Sequence, residues 1–213
     1  MRITVFGATG GTGQHLVVDA LTAGHEVTAV VRGPSRLTIP VTAGGARPAV
    51  VTADVLDPAA IEQAVAGRDV IISALGPRPK AKDPICAPGA ESIIAAMRAT
   101  GVRRLVVITA SGHVRDRHDD FATRALAKPI LRRLLRAGFA DFTATDELVT
   151  ASGLDWTIMR PVRLTDGGHK PYRTAVDHTV RGGFTISRAD LADATLAAAS
   201  DPATAGHAVA VAY

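Results

Sequence analysis

The chain has 213 residues, 47% apolar and 21% charged, enough for a sizeable core in one domain and too apolar for wholesale disorder. Lysine and arginine number 24 against 20 acidic residues, so the net charge is only +4, and 4% aromatic residues leave no stacking platform for single-stranded nucleic acid. No run approaches about 18 consecutive apolar residues, which excludes an ordinary membrane-spanning helix.

The first apolar run breaks at Gly7, too early for a signal peptide. The lone Cys86 excludes an internal disulfide and a thiolate metal cage. The densest basic group, Arg132, Arg133 and Arg136, lies in an apolar-periodic stretch and reads as a solvated helix face. The expectation is a cytoplasmic protein, a monomer or weak homodimer, with a small-molecule partner and neither nucleic acid nor membrane.

In chain order, residues 3–6 read as a strand, followed by a glycine turn at 7–13 and a helix carrying Leu16, Val17, Ala20 and Leu21. Residues 27–31 and 49–52 are the next strands. Asp57-Pro58 marks the cap and first turn of a short helix to 65. A strand at 69–73 precedes a proline-rich loop at 81–88 and a helix at 89–100 that stops at Gly101. Residues 105–108 form a continuous apolar strand, as expected when both faces are covered.

Helical stretches at 121–137 and 141–151, a strand at 156–159, a helix at 189–199 and a strand at 207–211 complete the chain. Residues 40–48 read as a surface loop. No repeat or linker interrupts the series, and strands joined by helices pair in parallel through right-handed crossovers. The expected fold is α/β: a single domain (residues 1–213) built on a doubly wound parallel sheet of Rossmann type, with covering loops and helices at the carboxyl edge.

Gly7, Gly10 and Gly13 are spaced G-x-x-G-x-x-G between a strand and a helix. Glycine there lets the chain turn sharply and lets a pyrophosphate approach the backbone, facing the free amides of the helix. A site for NAD usually carries an acid at the end of the second strand. Here that stretch reads Val31-Arg32-Gly33-Pro34-Ser35-Arg36. Guanidinium groups bind a 2′-phosphate by paired, charge-assisted hydrogen bonds, so the expected cofactor is NADP(H).

These residues resemble the atypical short-chain dehydrogenase/reductases, specifically small NAD(P)H-binding members akin to flavin reductase/biliverdin-IXβ reductase and NmrA-like proteins. The resemblance runs over nearly the whole chain: GATGGTG at 7–13, VVRGPSRL at 30–37, ADVLD at 53–57, ISALG at 72–76, TASG at 109–112, SGLDWTIMRP at 152–161 and ISRADLAD at 186–193. It implies that Gly7, Thr9, Gly10, Gly11 and Thr12 wrap the pyrophosphate and that Arg32 and Arg36 hold the 2′-phosphate. By the same resemblance Asp54 and Val55 border the adenine, and Ala74, Leu75 and Gly76 line the ribose path. Thr109 and Ser111 lie beside the nicotinamide ribose, and Pro161 and Val162 border the nicotinamide.

One departure matters. Tyrosine-dependent members use a Tyr-x-x-x-Lys pair, whereas Tyr172 is followed four places on by Val176 and Tyr213 is the last residue given. Asp146 and Glu147 occupy roughly that region, and ionised carboxylates are poor proton donors near pH 7. The remaining chemistry is hydride transfer to a conjugated acceptor such as a flavin or quinone, with Ser111 as the candidate catalytic hydroxyl.

His113 is a neighbouring polar candidate with a solvated loop as its ordinary setting. Arg160 suits either an acidic substrate group or a surface carboxylate. No histidine spacing marks a metal site. Two alternatives stay open: a redox-sensing NADP(H)-binding regulator without turnover, and a tailoring isomerase or dehydratase. Residues 113–136 and 165–184 are expected to cover the sheet's open end, with Gly167-Gly168 and Gly182-Gly183 as hinges.

Overall fold

The structure is a computed structural model that describes residues 1–33, 45–77, 83–114 and 136–213. The first half alternates as the apolar periodicities dictate: β1 (Arg2–Phe6), α1 (Gly11–Thr22), β2 (Glu26–Val31), β3 (Ala49–Thr52), α2 (Pro58–Val65), β4 (Val70–Ser73), α3 (Cys86–Thr100) and β5 (Arg104–Ile108). There follow α4 (Arg136–Thr150), β6 (Asp155–Pro161), β7 (Arg163–Thr165), β8 (Arg173–Val176), β9 (Thr185–Ser187), α5 (Arg188–Ser200) and β10 (His207–Ala212).

Eight strands form one sheet in the order β3-β2-β1-β4-β5-β6-β10-β8, while β7 and β9 pair separately in parallel. Strands pleat, so alternate side chains enter opposite layers. Ile3 and Val5 join Leu16, Val17, Leu191 and Ala192 beneath α1 and α5. Phe6, Ile71 and Leu105 join Ile61, Ile93, Met97 and Val149 beneath α2, α3 and α4. Covered on both faces, the sheet leaves only its strand ends for a ligand, and the chain order reverses at β1.

Local signals act as read where they are self-contained. The Asp57 carboxylate accepts from the Ala59 and Ala60 amides with Pro58 in the first turn. Gly101 ends α3 at φ +74°. Four expectations need correction. Residues 86–88, read as loop, are the first turn of α3, because Asp141 on α4 accepts from the Ile85, Cys86 and Ala87 amides at 3.0, 3.0 and 2.8 Å. Pro88 costs nothing there, since first-turn amides have no helical partner.

The helix expected to restart at 141 instead runs unbroken through Gly138. The sheet is parallel except for β8, which joins β10 antiparallel within a segment expected only to cover the site. A Cβ on Gly183, expected as a hinge, would lie 2.3 Å from that of Ala212, so this glycine serves close packing. Residues 121–135 of the helix expected at 121–137, residues 40–44 of the loop expected at 40–48, Arg36, Arg132 and Arg133 lie outside the described residues.

The end of the chain is bound to α5 through one buried carboxylate. Asp190 is 1% exposed and accepts from the Ser187 and Tyr213 hydroxyls and the Lys170 amide, with His169 Nδ1 at 3.1 Å. Ser187 in turn caps α5 by accepting from the Asp190 amide at 3.0 Å. Burial pushes the Asp190 carboxyl up, but these hydrogen bonds outweigh it and hold the group below its ordinary value.

A depressed folded value stabilises the fold fully above the unfolded carboxylate pKa of about 3.9 and loses that contribution as pH falls through the folded value. Asp190→Asn is therefore expected to lower stability by roughly 1.5–3 kcal/mol near neutrality. Its melting temperature should also fall less steeply between about pH 5 and 3 than that of the unmodified chain. Parallel acid slopes for the two proteins would refute the linkage.

Candidate functional site

The site begins where β1 ends. Gly7 adopts φ +78°, and a Cβ there would lie 2.5 Å from the Ala74 carbonyl oxygen. A Cβ on Gly13 would lie 2.2 Å from the Gly7 oxygen. These two positions exclude any side chain, so the turn folds tightly between the ends of β1 and β4 and delivers the start of α1 to the crevice. The helix offers no side-chain cap of its own and no acid in its first turn. Its leading amides therefore present an anion-binding terminus.

A cleft opens over this turn, lined by Gly7, Thr9, Gly10, Arg32, Val55, Ala74, Leu75 and Gly76 among the residues singled out from sequence. Phe6, Val30, Val31, Ala53 and Ile85 supply the rest of its wall. Its shape suits the adenosine and pyrophosphate of a dinucleotide: an apolar slot between β2 and β4, an amide-rich floor and a guanidinium at the rim. Arg32 is exposed, and among the described residues no carboxylate lines the cleft. Gly11 and Thr12 follow in the first turn of α1 without lining the cleft. Asp54 is exposed and engaged locally, accepting from the Leu56 amide at 3.1 Å.

Thr109, Ser111, Pro161 and Val162 form a second group, at the ends of β5 and β6. The Thr109 amide donates to the Met159 carbonyl at 2.9 Å and the Ser111 amide to that of Pro161 at 2.8 Å, prolonging the β5–β6 ladder. Ser111 is buried, and the Val114 amide closes a turn onto its carbonyl at 3.3 Å.

That turn carries a residue whose setting differs from the expected solvated loop. His113 is 8% exposed, with its ring near those of Phe139 and Phe142. Its Nε2 lies 2.9 Å from Asp146 Oδ2, and Arg160 Nη2 donates to the same oxygen at 2.8 Å. A tautomer with the proton on Nε2 donates to this carboxylate, and Nδ1 then faces no hydrogen-bond partner among the described residues. Arg160, read as facing a substrate acid or a surface carboxylate, instead compensates a buried one.

Among the described residues, seven buried side-chain polar atoms lack a hydrogen-bond partner, and four of them are here: Thr109 Oγ1, His113 Nδ1, Asp146 Oδ1 and Arg160 Nε. Each such atom costs about 1–3 kcal/mol, and their concentration at one strand end sets this place apart from the rest of the described core. Sequence reasoning named His113, Asp146 and Arg160 singly and missed their union, which no local spacing signals.

Cys86 is no nucleophile. Burial, followed by the nearby Asp141 carboxylate, pushes its thiol far above the ordinary range, and Sγ rests 3.6 Å from the Leu75 oxygen. Among the described residues no group of three or more His, Cys, Asp or Glu is placed to hold a metal, and no helix is long and apolar enough to cross a membrane.

Comparison with known proteins agrees with this geometry. A Burkholderia pseudomallei protein described as a "putative exported protein" superposes with a TM-score of 0.81 at 28% identity, covering all of both chains. A Veillonella parvula short-chain dehydrogenase/reductase in complex with NADP superposes at 0.80 with 21% identity, over 100% of this chain and 94% of that one. A Streptococcus pneumoniae protein described as a "putative NADH-flavin reductase" does so at 0.79 with 20% identity, over 100% and 99%.

An uncharacterized Mycobacterium tuberculosis protein, Rv2047c, is 35% identical over 118 residues, which are 53% of this chain and 12% of that much longer protein. The NAD(P)H-binding family model matches residues 7–202, from the glycine turn past the end of α5. The chain belongs to the NAD(P)H-binding family, with the fold of the short-chain dehydrogenase/reductases.

Proposed function

We propose that the protein is an NADPH-dependent reductase that passes hydride to a conjugated acceptor such as a flavin or quinone. The observation that carries this reading is the cluster of unpartnered polar atoms at the ends of β5 and β6, beside Ser111 and one strand away from the nucleotide cleft. The likeness to the streptococcal protein described as an NADH-flavin reductase supports the same class of acceptor.

In this reading Gly7, Thr9, Gly10, Gly11 and Thr12 receive the pyrophosphate on backbone amides, with Asp54, Val55, Ala74, Leu75 and Gly76 around the adenosine. Arg32 selects the 2′-phosphate together with Arg36, which lies outside the described residues. Thr109, Pro161 and Val162 border the reacting end. The bound dinucleotide supplies hydride. The proton that must accompany it falls to the chain. Ser111 Oγ orients the acceptor's oxygen, and protonated His113 gives up the proton on Nδ1.

Nε2–H stays on Asp146 throughout, which fixes the ring. Arg160 donates a hydrogen bond to that same carboxylate, and the Phe139 and Phe142 rings limit water around the imidazole. This arrangement takes over the proton-donor role of the absent tyrosine–lysine pair. A cytoplasmic setting, where NADPH is abundant, fits the reading. Fractionation of the host cell tests it against the exported likeness.

Purified protein mixed with NADPH and a panel of flavins and quinones should consume the 340 nm absorbance. Tight binding with no turnover across the panel would overturn the enzymatic reading in favour of a redox sensor. Arg32→Ala should weaken NADPH binding by roughly 1.5–3 kcal/mol, about 10- to 150-fold, and leave NADH nearly unchanged. Equal weakening of both would remove the phosphate role.

With an active acceptor, His113→Gln should cut kcat by about 100-fold or more and erase the limb of the pH profile that reports its proton. Ser111→Ala should lower kcat more than coenzyme affinity. A His113→Gln enzyme with an unchanged pH profile would show that the histidine is merely structural.

A further inference from the structure

The glycine turn contains one position whose lack of a side chain is explained neither by backbone conformation nor by the turn itself. A Cβ on Gly11 would lie 2.6 Å from Arg188 Cδ and 2.9 Å from its Nε. Gly11 is therefore the gap through which the Arg188 side chain crosses the first turn of α1. Arg188 is the first residue of α5, and its backbone is held by the Ser187 cap and the Asp190 network.

The guanidinium consequently stands at the amino ends of two helices at once, where the macrodipoles repel a cation. On the α1 side the helix itself does not offset this, since it has neither a side-chain cap nor a first-turn acid. The partner Arg188 does have is Asp166, in the segment between β7 and β8. The Asp166 side chain is 90% exposed, and a pair with so solvated a carboxylate contributes little. A cation held across an anion-seeking helix terminus makes physical sense when an anion lies between them.

We infer that Arg188 is the arm that closes over the coenzyme's pyrophosphate at the start of α1, exchanging Asp166 for it. The inference rests on the coenzyme site proposed above and adds to it a residue contributed by the neighbouring helix on the same face of the sheet. Asp166 acts as an internal competitor. Binding thus couples the glycine turn to the segment that follows β7 through a swap of ion pairs.

The test is calorimetric titration with NADPH and NADH, which share the pyrophosphate. Arg188→Gln should weaken both by the same factor, roughly 10- to 100-fold, and flatten the dependence of affinity on ionic strength. Arg32→Ala acts on NADPH alone, so the two arginines separate. Asp166→Asn should act in the opposite direction, tightening both coenzymes several-fold, a sign that a misfolded or loosened variant would not produce.

Unchanged affinity in Arg188→Gln, or weakened affinity in Asp166→Asn, overturns the role of Arg188 while leaving the coenzyme site standing. An unmodified protein that binds neither coenzyme overturns both.

Discussion

The contact on which the site depends is the approach of Gly7 to the Ala74 carbonyl. Two parallel strands that send their chains to opposite faces of a sheet leave a crevice at their ends. Whether it becomes a binding site depends on how closely the turn after β1 lies against β4. With no Cβ at Gly7 or Gly13 the turn lies flat, and the leading amides of α1 reach the crevice floor. A single methyl group at either position would collide with backbone rather than with a movable side chain, so the helix terminus and the cleft would be lost together.

Stability and site are separated within the same sheet. The two apolar layers bury Ile3, Val5, Phe6, Ile71, Ile72 and Leu105 almost completely, and the unpartnered buried polar atoms among the described residues of these layers, on Asp19, Ser92 and Arg104, stand apart from one another in sequence. Buried Thr4 donates to the Ala64 carbonyl at 2.6 Å. At the ends of β5 and β6, by contrast, polar atoms of four neighbouring residues stay unpaired. A fold with a continuous core on both faces tolerates that local cost. In the function proposed above, that unmet hydrogen-bonding capacity is completed by the bound reactants.

Electrostatic compensation follows a similar division. Asp141 and Asp190 are buried carboxylates fully occupied by amides and hydroxyls, and they hold helix ends and chain segments in place. Asp146 is equally buried but shared between a histidine and an arginine, with one oxygen unused. The first two are structural, since the groups they accept from belong to helix ends and chain segments that they tie together. In the function proposed above, the third steadies the histidine that gives up a proton.

Much of the molecule was legible in the residues themselves. The alternation of apolar runs, the glycine turn, the Asp57-Pro58 cap, the Gly101 stop and the absence of both an acid after β2 and a tyrosine–lysine pair are all expressed within a few consecutive positions. What escaped was decided over longer separations. Asp141 extends α3 from about 55 positions away, β8 turns antiparallel against β10, and Arg188 crosses Gly11. The His113–Asp146–Arg160 cluster joins a loop, a helix and a strand.

Backbone preferences act over one turn or one strand, so a sequence expresses them directly. Which side chains meet across the molecule depends on helix rotation and strand register. Those are set only when the two apolar layers pack, and that packing alone brought the histidine, the carboxylate and the guanidinium to one strand end.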